Sequence, residues 1–317
     1  MRYANVKNAH IVPASYLRAW EAYGRLTVRV GNDSPLDLAA SKVGTRRYAY
    51  RRQRPSGEQI SDVEWTLSDC ESKAAPLLGK LAELWPLGPE EKSRLAVFIG
   101  FQIVRGPRWV TWHDALREVR ESPTTDTPAS TARLLRMLKI GAHMGSLVGT
   151  MHWSLLEFGS PLLATSDQPV VIWPRGMRAR QPQQTPFDLM DVSCSEIRLP
   201  TSPRLALLMT WTDEPDDEAP RLKCRREHAA SLNAFTVAQA DKQWFHQPGR
   251  VPPRASGTLL PLAPQLMGDY DLNPRAGIRR KAALKAFKSL EKEPLQRGFG
   301  VPMYRLTRAS GREADES

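Results

Sequence analysis

The feature that most limits how this chain can fold is a hydrophobic period that changes twice. "RLTVRV", residues 25–30, alternates polar and apolar residues, the pattern of a strand with one buried face. The basic, aromatic "SKVGTRRYAYRRQRP" follows as a strand leaving into a loop at Pro55. From Gln59 to about Trp85 the spacing becomes helical, through Ile60, Val63, Leu67, Leu77, Leu81 and Leu84. Pro76 lies inside that run and predicts a kink or two helices. "GPEEKSRLAVFIGFQIVRGPRW" has a cleaner start, with Pro89 in the first turn and Glu90 and Glu91 at the positive helix end. Gly106-Pro107 should stop or bend it after Arg105. A third helical stretch carries Gly141, Gly145 and Gly149 four apart, a smooth stripe for close packing. No GxxxxGK[ST] accompanies it, so a phosphate-cradling loop is not indicated. Then the period shortens. "PLLATSDQPVVIWP" reads as a hairpin or bent strand pair, and "EIRLPTSPRLALLMTW" as at least one more strand. "REHAASLNAFTVAQADKQWF" returns to a helix with a wet face. Strands, helices and strands in blocks predict an α+β fold, a central, mostly helical region packed on a small mixed or antiparallel sheet.

The 317 residues divide, on this reading, into one α+β domain over 1–250 and a basic, partly disordered extension over 251–317. Within the extension a short amphipathic helix is expected over 276–292, with Ile278, Ala282, Ala286 and Leu290 along one side. No stretch approaches the roughly 20 apolar residues of a bilayer span, and no charged-then-apolar leader opens the chain. Cys70, Cys194 and Cys224 are widely spaced, odd in number and form no CxxC pair, so neither a disulfide framework nor a structural zinc site is expected. A reduced, cytoplasmic protein is the expectation. Lys and Arg outnumber Asp and Glu by 45 to 34, a net charge of +11. Such a surplus favours nucleic acid or another polyanion through counterion release, or serves solubility alone.

Four places carry groups capable of chemistry. His10, in "KNAHIVPASYLRAW", is an acid, base or metal ligand near neutral pH, or a histidine that merely ties down a terminal strand. Glu64 and Glu71 lie seven apart, close to two helical turns, so both carboxylates share a face. Facing inward they would hold a divalent cation or share a proton; facing outward they form a solvated stripe. Gln102 and Arg105 are helix neighbours in an otherwise apolar run, and a buried guanidinium must meet a carboxylate, a phosphate or solvent. In "ATSDQPV", Thr165, Ser166 and Asp167 stand where a strand ends, a common place for a catalytic carboxylate and equally ordinary turn chemistry. A serine-hydrolase elbow (GxSxG) and a zincin HExxH are both absent.

"KNAHIVPASYLRAW", the acidic helix with "VEW" and "CES", "FIGFQIVRGP", "LLATSDQPVVIWP" and "RLPTSPRLALLM" occur in one order. Together they resemble the bacterial family known as domain of unknown function 4238, whose members begin with Asn-x-His-x-Val-Pro. The resemblance covers roughly residues 5 to 250 and implies that Asn8, His10, Pro13, Gln102, Arg105, Asp167 and Pro169 occupy motif positions. Trp20 stands where an aromatic such as Phe is more usual. The family brings no settled activity, but it favours one convergent polar site over four unrelated features. The expectation is an enzyme hydrolysing a phosphodiester in the manner of a nuclease. His10 would be general acid or base, with Arg105 and Gln102 on the phosphoryl oxygens. Asp167 would orient His10 or, with Glu64 or Glu71, hold Mg²⁺, while Asn8, Ser166 and Tyr16 would contact substrate. The rivals are an enzyme on a small anionic metabolite, in a cavity lined by Trp173 or Trp211, and a non-catalytic nucleic-acid-binding or interaction module.

Overall fold

A computed structural model of the protein describes residues 8–31, 33–50, 52–53, 56, 59–60, 62–106, 129–174, 194–211, 219–256, 262–263 and 266. The first part of the chain forms β1 (Asn8–His10), α1 (Ala14–Leu17), β2 (Leu26–Val30), β3 (Leu36–Leu38), β4 (Thr45–Arg47), β5 (Arg52–Gln53) and β6 (Gln59–Ile60). Among the described residues four helices follow: α2 (Asp62–Gly79), α3 (Leu81–Leu84), α4 (Pro89–Arg105) and α5 (Ala129–Gly149). Then come β7 (His152–Phe158), β8 (Thr165–Ser166), β9 (Val171–Pro174), β10 (Cys194–Ser202), β11 (Leu205–Thr210) and β12 (Arg221–Cys224). The last described elements are α6 (Arg226–Gln239) and β13 (Gln243–His246). The fold is α+β, as the blocks of period imply. No described helix is long and apolar enough to cross a membrane. The helix expected over 276–292 lies outside the described residues.

Among the described residues the expected sheet is in fact two sheets and two ribbons. Five strands run in the order β12-β7-β11-β10-β9, antiparallel except for the β12–β7 pair. Four antiparallel strands run β3-β2-β13-β8, and β1–β4 and β5–β6 form two-stranded ribbons. Both faces of the five-stranded sheet are covered. Leu155, Leu207 and Met209 point into a core shared with the helices, while Leu156, Ala206 and Leu208 face a second cluster with Ala229 and Leu232 of α6. This explains why these strands read as unbroken apolar runs rather than as alternation.

α4 begins with Pro89 at its first turn and ends against Gly106, as its sequence predicts. The glycine stripe brings α5 against it. A Cβ on Gly100 would collide with backbone atoms of Gly141 and Gly145, and one on Gly145 would lie 2.7 Å from the Val97 Cα. α2 runs through Pro76 to Gly79 as one helix, with the separate short α3 after it.

Two expectations are corrected. Of the two readings of "PLLATSDQPVVIWP", the hairpin is excluded: β8 pairs with β13 in the four-stranded sheet, whereas β9 pairs with β10 in the other. The intervening turn carries the chain between sheets. α6 also has far less of a wet face than its polar residues imply, because those residues find backbone partners. Asn233 accepts from the Ala164 amide and donates to the Leu162 and Pro253 carbonyls, Thr236 donates to the Leu232 carbonyl, and Gln239 donates to that of Ile172.

Candidate functional site

The site is organised by one buried cation. Arg105 ends α4, where the negative end of the helix favours positive charge, yet its side chain is only 2% exposed. Its charge is met by the Glu71 carboxylate of α2, to which Nη1 donates. Nε–H donates to the Tyr50 hydroxyl at 2.8 Å, and the Tyr50 ring centroid lies 5.2 Å from the guanidinium carbon. Nη2 donates to the backbone carbonyl of His10. Of the three partners open to a buried guanidinium, the fold supplies a carboxylate. Desolvation pulls the Arg105 pKa down, but Tyr50 and Glu71 more than offset it and hold the group protonated. Burial also pushes the Tyr50 phenol up to about 12, so it stays neutral.

Glu64 and Glu71 do face inward. Both act electrostatically on Tyr50, and Arg105 acts on both. Their fates differ because only Glu71 is hydrogen-bonded to the guanidinium. The Oε2 of Glu64 is buried with no partner. Burial pushes its carboxyl up to about 7, with Arg105 working against the rise and Glu71 adding to it.

The His10 backbone is fixed on two sides. The Gly44 carbonyl accepts from the Ile11 and Val12 amides at 2.8 and 3.3 Å, and Gly44 itself takes φ +62, a conformation that suits glycine. The imidazole is half-buried, and its pKa is lowered chiefly by burial; Glu71 raises it, Arg105 lowers it, and a bond to the Ser41 backbone raises it. A bond that favours the charged ring is one the ring donates. Because Nε2 has no partner, that donor is Nδ1–H. The neutral ring therefore presents a bare, buried lone pair on Nε2.

Gln102 lies one turn before Arg105 and is 2% exposed, with neither amide atom partnered. Four residues earlier, Phe98 packs on the Tyr16 ring at 6.3 Å. The Tyr16 hydroxyl donates to the Pro200 carbonyl and accepts from the Thr165 hydroxyl at 2.8 Å, so both its hydrogen-bonding sides serve as anchors. Ser166 likewise closes its own turn, donating to the Gln168 carbonyl at 2.8 Å and accepting from the Gln168 amide at 3.1 Å. That turn lies against the end of α4: a Cβ on Gly106 would overlap the Gln168 carboxamide, whose Nε2 is buried and unpartnered.

Asp167 turns the other way. Its carboxylate accepts from the amides of Asp241, Lys242 and Gln243 at 2.8, 2.8 and 3.0 Å, joining the turn to β13 rather than to the His10 ring. Asn8 is exposed, opposite Arg47. Trp173 packs edge-on against Phe235 at 4.2 Å, and Trp211 is 3% exposed, so both are packing residues. Among the described residues no three His, Cys, Asp or Glu side chains converge as metal ligands. Sequence reasoning missed Tyr50 and Gln168. The first stands in the quoted "RRYAYRR" and the second inside the Ser-Asp-x-Pro turn, so the signal was adjacency to motifs already in hand.

The arrangement thus unites the opening segment, Tyr50, α2, the end of α4 and the turn at 165–168. On those segments His10, Glu64, Gln102 and Gln168 hold buried polar atoms with no partner. One neutral base, one raised acid and two amides are the chemistry available. In comparisons with known proteins, the family model described as "Protein of unknown function (DUF4238)" matches residues 8–250. No curated protein and no solved structure matches the chain.

Proposed function

Since the chain belongs to this family of proteins of unknown function (DUF4238), we propose its activity from its own residues: a hydrolase acting on a phosphodiester by general acid–base catalysis. The observation that carries the proposal is the bare His10 Nε2 beside the Arg105–Glu71 pair. In the proposed step Nε2 takes a proton from the attacking hydroxyl or water as its oxygen bonds to phosphorus. The bond from phosphorus to the leaving oxygen breaks, and Glu64 gives that oxygen its proton. The Gln102 amide donates to a phosphoryl oxygen, and the fixed charge of Arg105 lowers the energy of the developing anion. Glu71 already has the guanidinium as its counter-charge, so no step is routed through Mg²⁺; the ion's effect belongs in the assay.

His10→Gln in the full chain should reduce cleavage of labelled single-stranded RNA or DNA by about 10²–10⁴-fold. Its thermal midpoint should stay near that of the parent, because the anchor at this position is the backbone carbonyl. Assays with Mg²⁺ and with chelator should agree in this ratio. A parent protein with no cleavage under either condition, together with a large loss of stability in the variant, would instead mark the polar set as structural.

The pH profile supplies a second check. Activity needs His10 neutral and Glu64 protonated, so kcat/KM should rise with pH through a value below 6.5 and fall through about 7. Glu64→Gln should remove the upper limb. The same change has a signed effect on stability. A carboxyl whose folded pKa exceeds its ordinary 4.5 contributes stability that is lost as pH rises from there through about 7. Glu64→Gln should therefore gain stability relative to the parent at pH 8 and not at pH 4, as read by urea denaturation.

A further inference from the structure

The strand that carries His10 is paired with a cationic one. β1 and β4 align Asn8 with Arg47, Ala9 with Arg46 and His10 with Thr45. Lys42, Thr45, Arg46, Arg47 and Tyr48 are all exposed. Neighbouring strand residues point to opposite faces, so Arg46 and Arg47 carry charge to both sides of the ribbon. Neither guanidinium is paired with a carboxylate among the described residues. Arg47 instead lies over the Tyr48 ring, 5.9 Å from its centroid. Two acids of this part of the chain are held elsewhere: Glu71 by Arg105, and Glu21 by the Ala40 amide at 2.7 Å.

Tyr48 adds an independent sign. It takes φ +53, a left-handed conformation that few non-glycine residues adopt, and the residue is 40% exposed. An exposed aromatic residue next to guanidinium groups that no described carboxylate pairs is the pattern of a base-stacking platform beside a phosphate track.

We infer that the β1–β4 ribbon is a binding track for single-stranded nucleic acid, with Arg46 and Arg47 each meeting a phosphate, one on either side of the ribbon, and Tyr48 stacked on a base. This inference rests on the phosphodiester reading of the adjoining site and specifies its substrate class. A single strand, rather than a duplex, follows from geometry. Nε2 of His10 is buried, so a phosphodiester must leave a helical stack to reach it, whereas an unpaired strand can bend inward from the ribbon.

The test measures binding of a short labelled oligouridylate, its deoxy counterpart and a duplex of equal length to the full chain over a range of KCl. Arg46→Gln/Arg47→Gln should weaken both single strands and flatten the slope of log K against log salt by about 1.4, from roughly 0.7 per phosphate. Tyr48→Ala should weaken binding by about tenfold or more with the slope unchanged. Arg46→Lys/Arg47→Lys should restore the slope, which separates charge from any effect on folding. Unchanged affinity and slope in the glutamine variant, or a parent that prefers the duplex, would overturn the inference. The two readings fail separately. Salt-dependent binding through Arg46 and Arg47 without cleavage leaves the track standing and removes the hydrolase; cleavage with binding indifferent to these arginines does the reverse.

Discussion

Arg105→Met should destabilise the protein by about 3–5 kcal/mol at neutral pH, toward the lower figure because Glu71 is 19% exposed. Methionine fills much of the volume, so the loss is electrostatic. Glu71 is left as a half-buried carboxylate without its cation, the Tyr50 hydroxyl loses the donor it accepts from, and the His10 carbonyl loses its guanidinium partner. Glu64 stands beside the same charge, so two acids are left facing each other. Arg105→Lys should recover only part of the loss, since one ammonium cannot place donors on three partners in the guanidinium's plane. Two measurements identify the mechanism. Urea denaturation should show a smaller deficit at pH 4, where Glu64 is protonated. Adding Glu71→Gln to Arg105→Met should restore stability relative to the single variant, a coupling that a mere packing defect would not produce.

The second large effect is expected at the helix pair. Gly100→Ala adds one methyl where the backbones of Gly141 and Gly145 already touch the α4 surface. Backbone atoms cannot rotate aside, so α4 and α5 must separate along their length. The expected cost is about 3 kcal/mol, at the upper end of overpacking effects, read as a lowered urea midpoint with an unchanged slope. Helix propensity alone would favour alanine by about 1 kcal/mol, so the sign of the result separates packing from propensity.

What could be read from the sequence divides along physical lines. Local signals were legible. Pro89 with two glutamates opened α4, Gly106 closed it, and a four-residue glycine spacing announced a close helix contact. The inward pairing of Glu64 and Glu71 was legible as a spacing, but which way it faced depended on Arg105, forty-one and thirty-four positions away. Pairings that cross the chain were not legible. "ATSDQPV" looks like a hairpin turn because nothing within it records that β8 joins a strand near residue 245. Asp167 looked like a partner for His10 because a carboxylate at a strand end is chemically versatile. Its three amide donors come from a turn at 241–243 whose geometry only the fold creates. Polar side chains on α6 read as wet for the same reason: a sequence displays polarity, not the backbone groups waiting to meet it.

Arg105 grips position 10 by its main chain, and that has a consequence for how this scaffold can change. That contact does not involve the side chain, so the residue at position 10 can be exchanged while this part of the mount stays put. A cysteine or a carboxylate placed there would be delivered to the same spot, next to the same guanidinium. The architecture is therefore a socket with a replaceable tip.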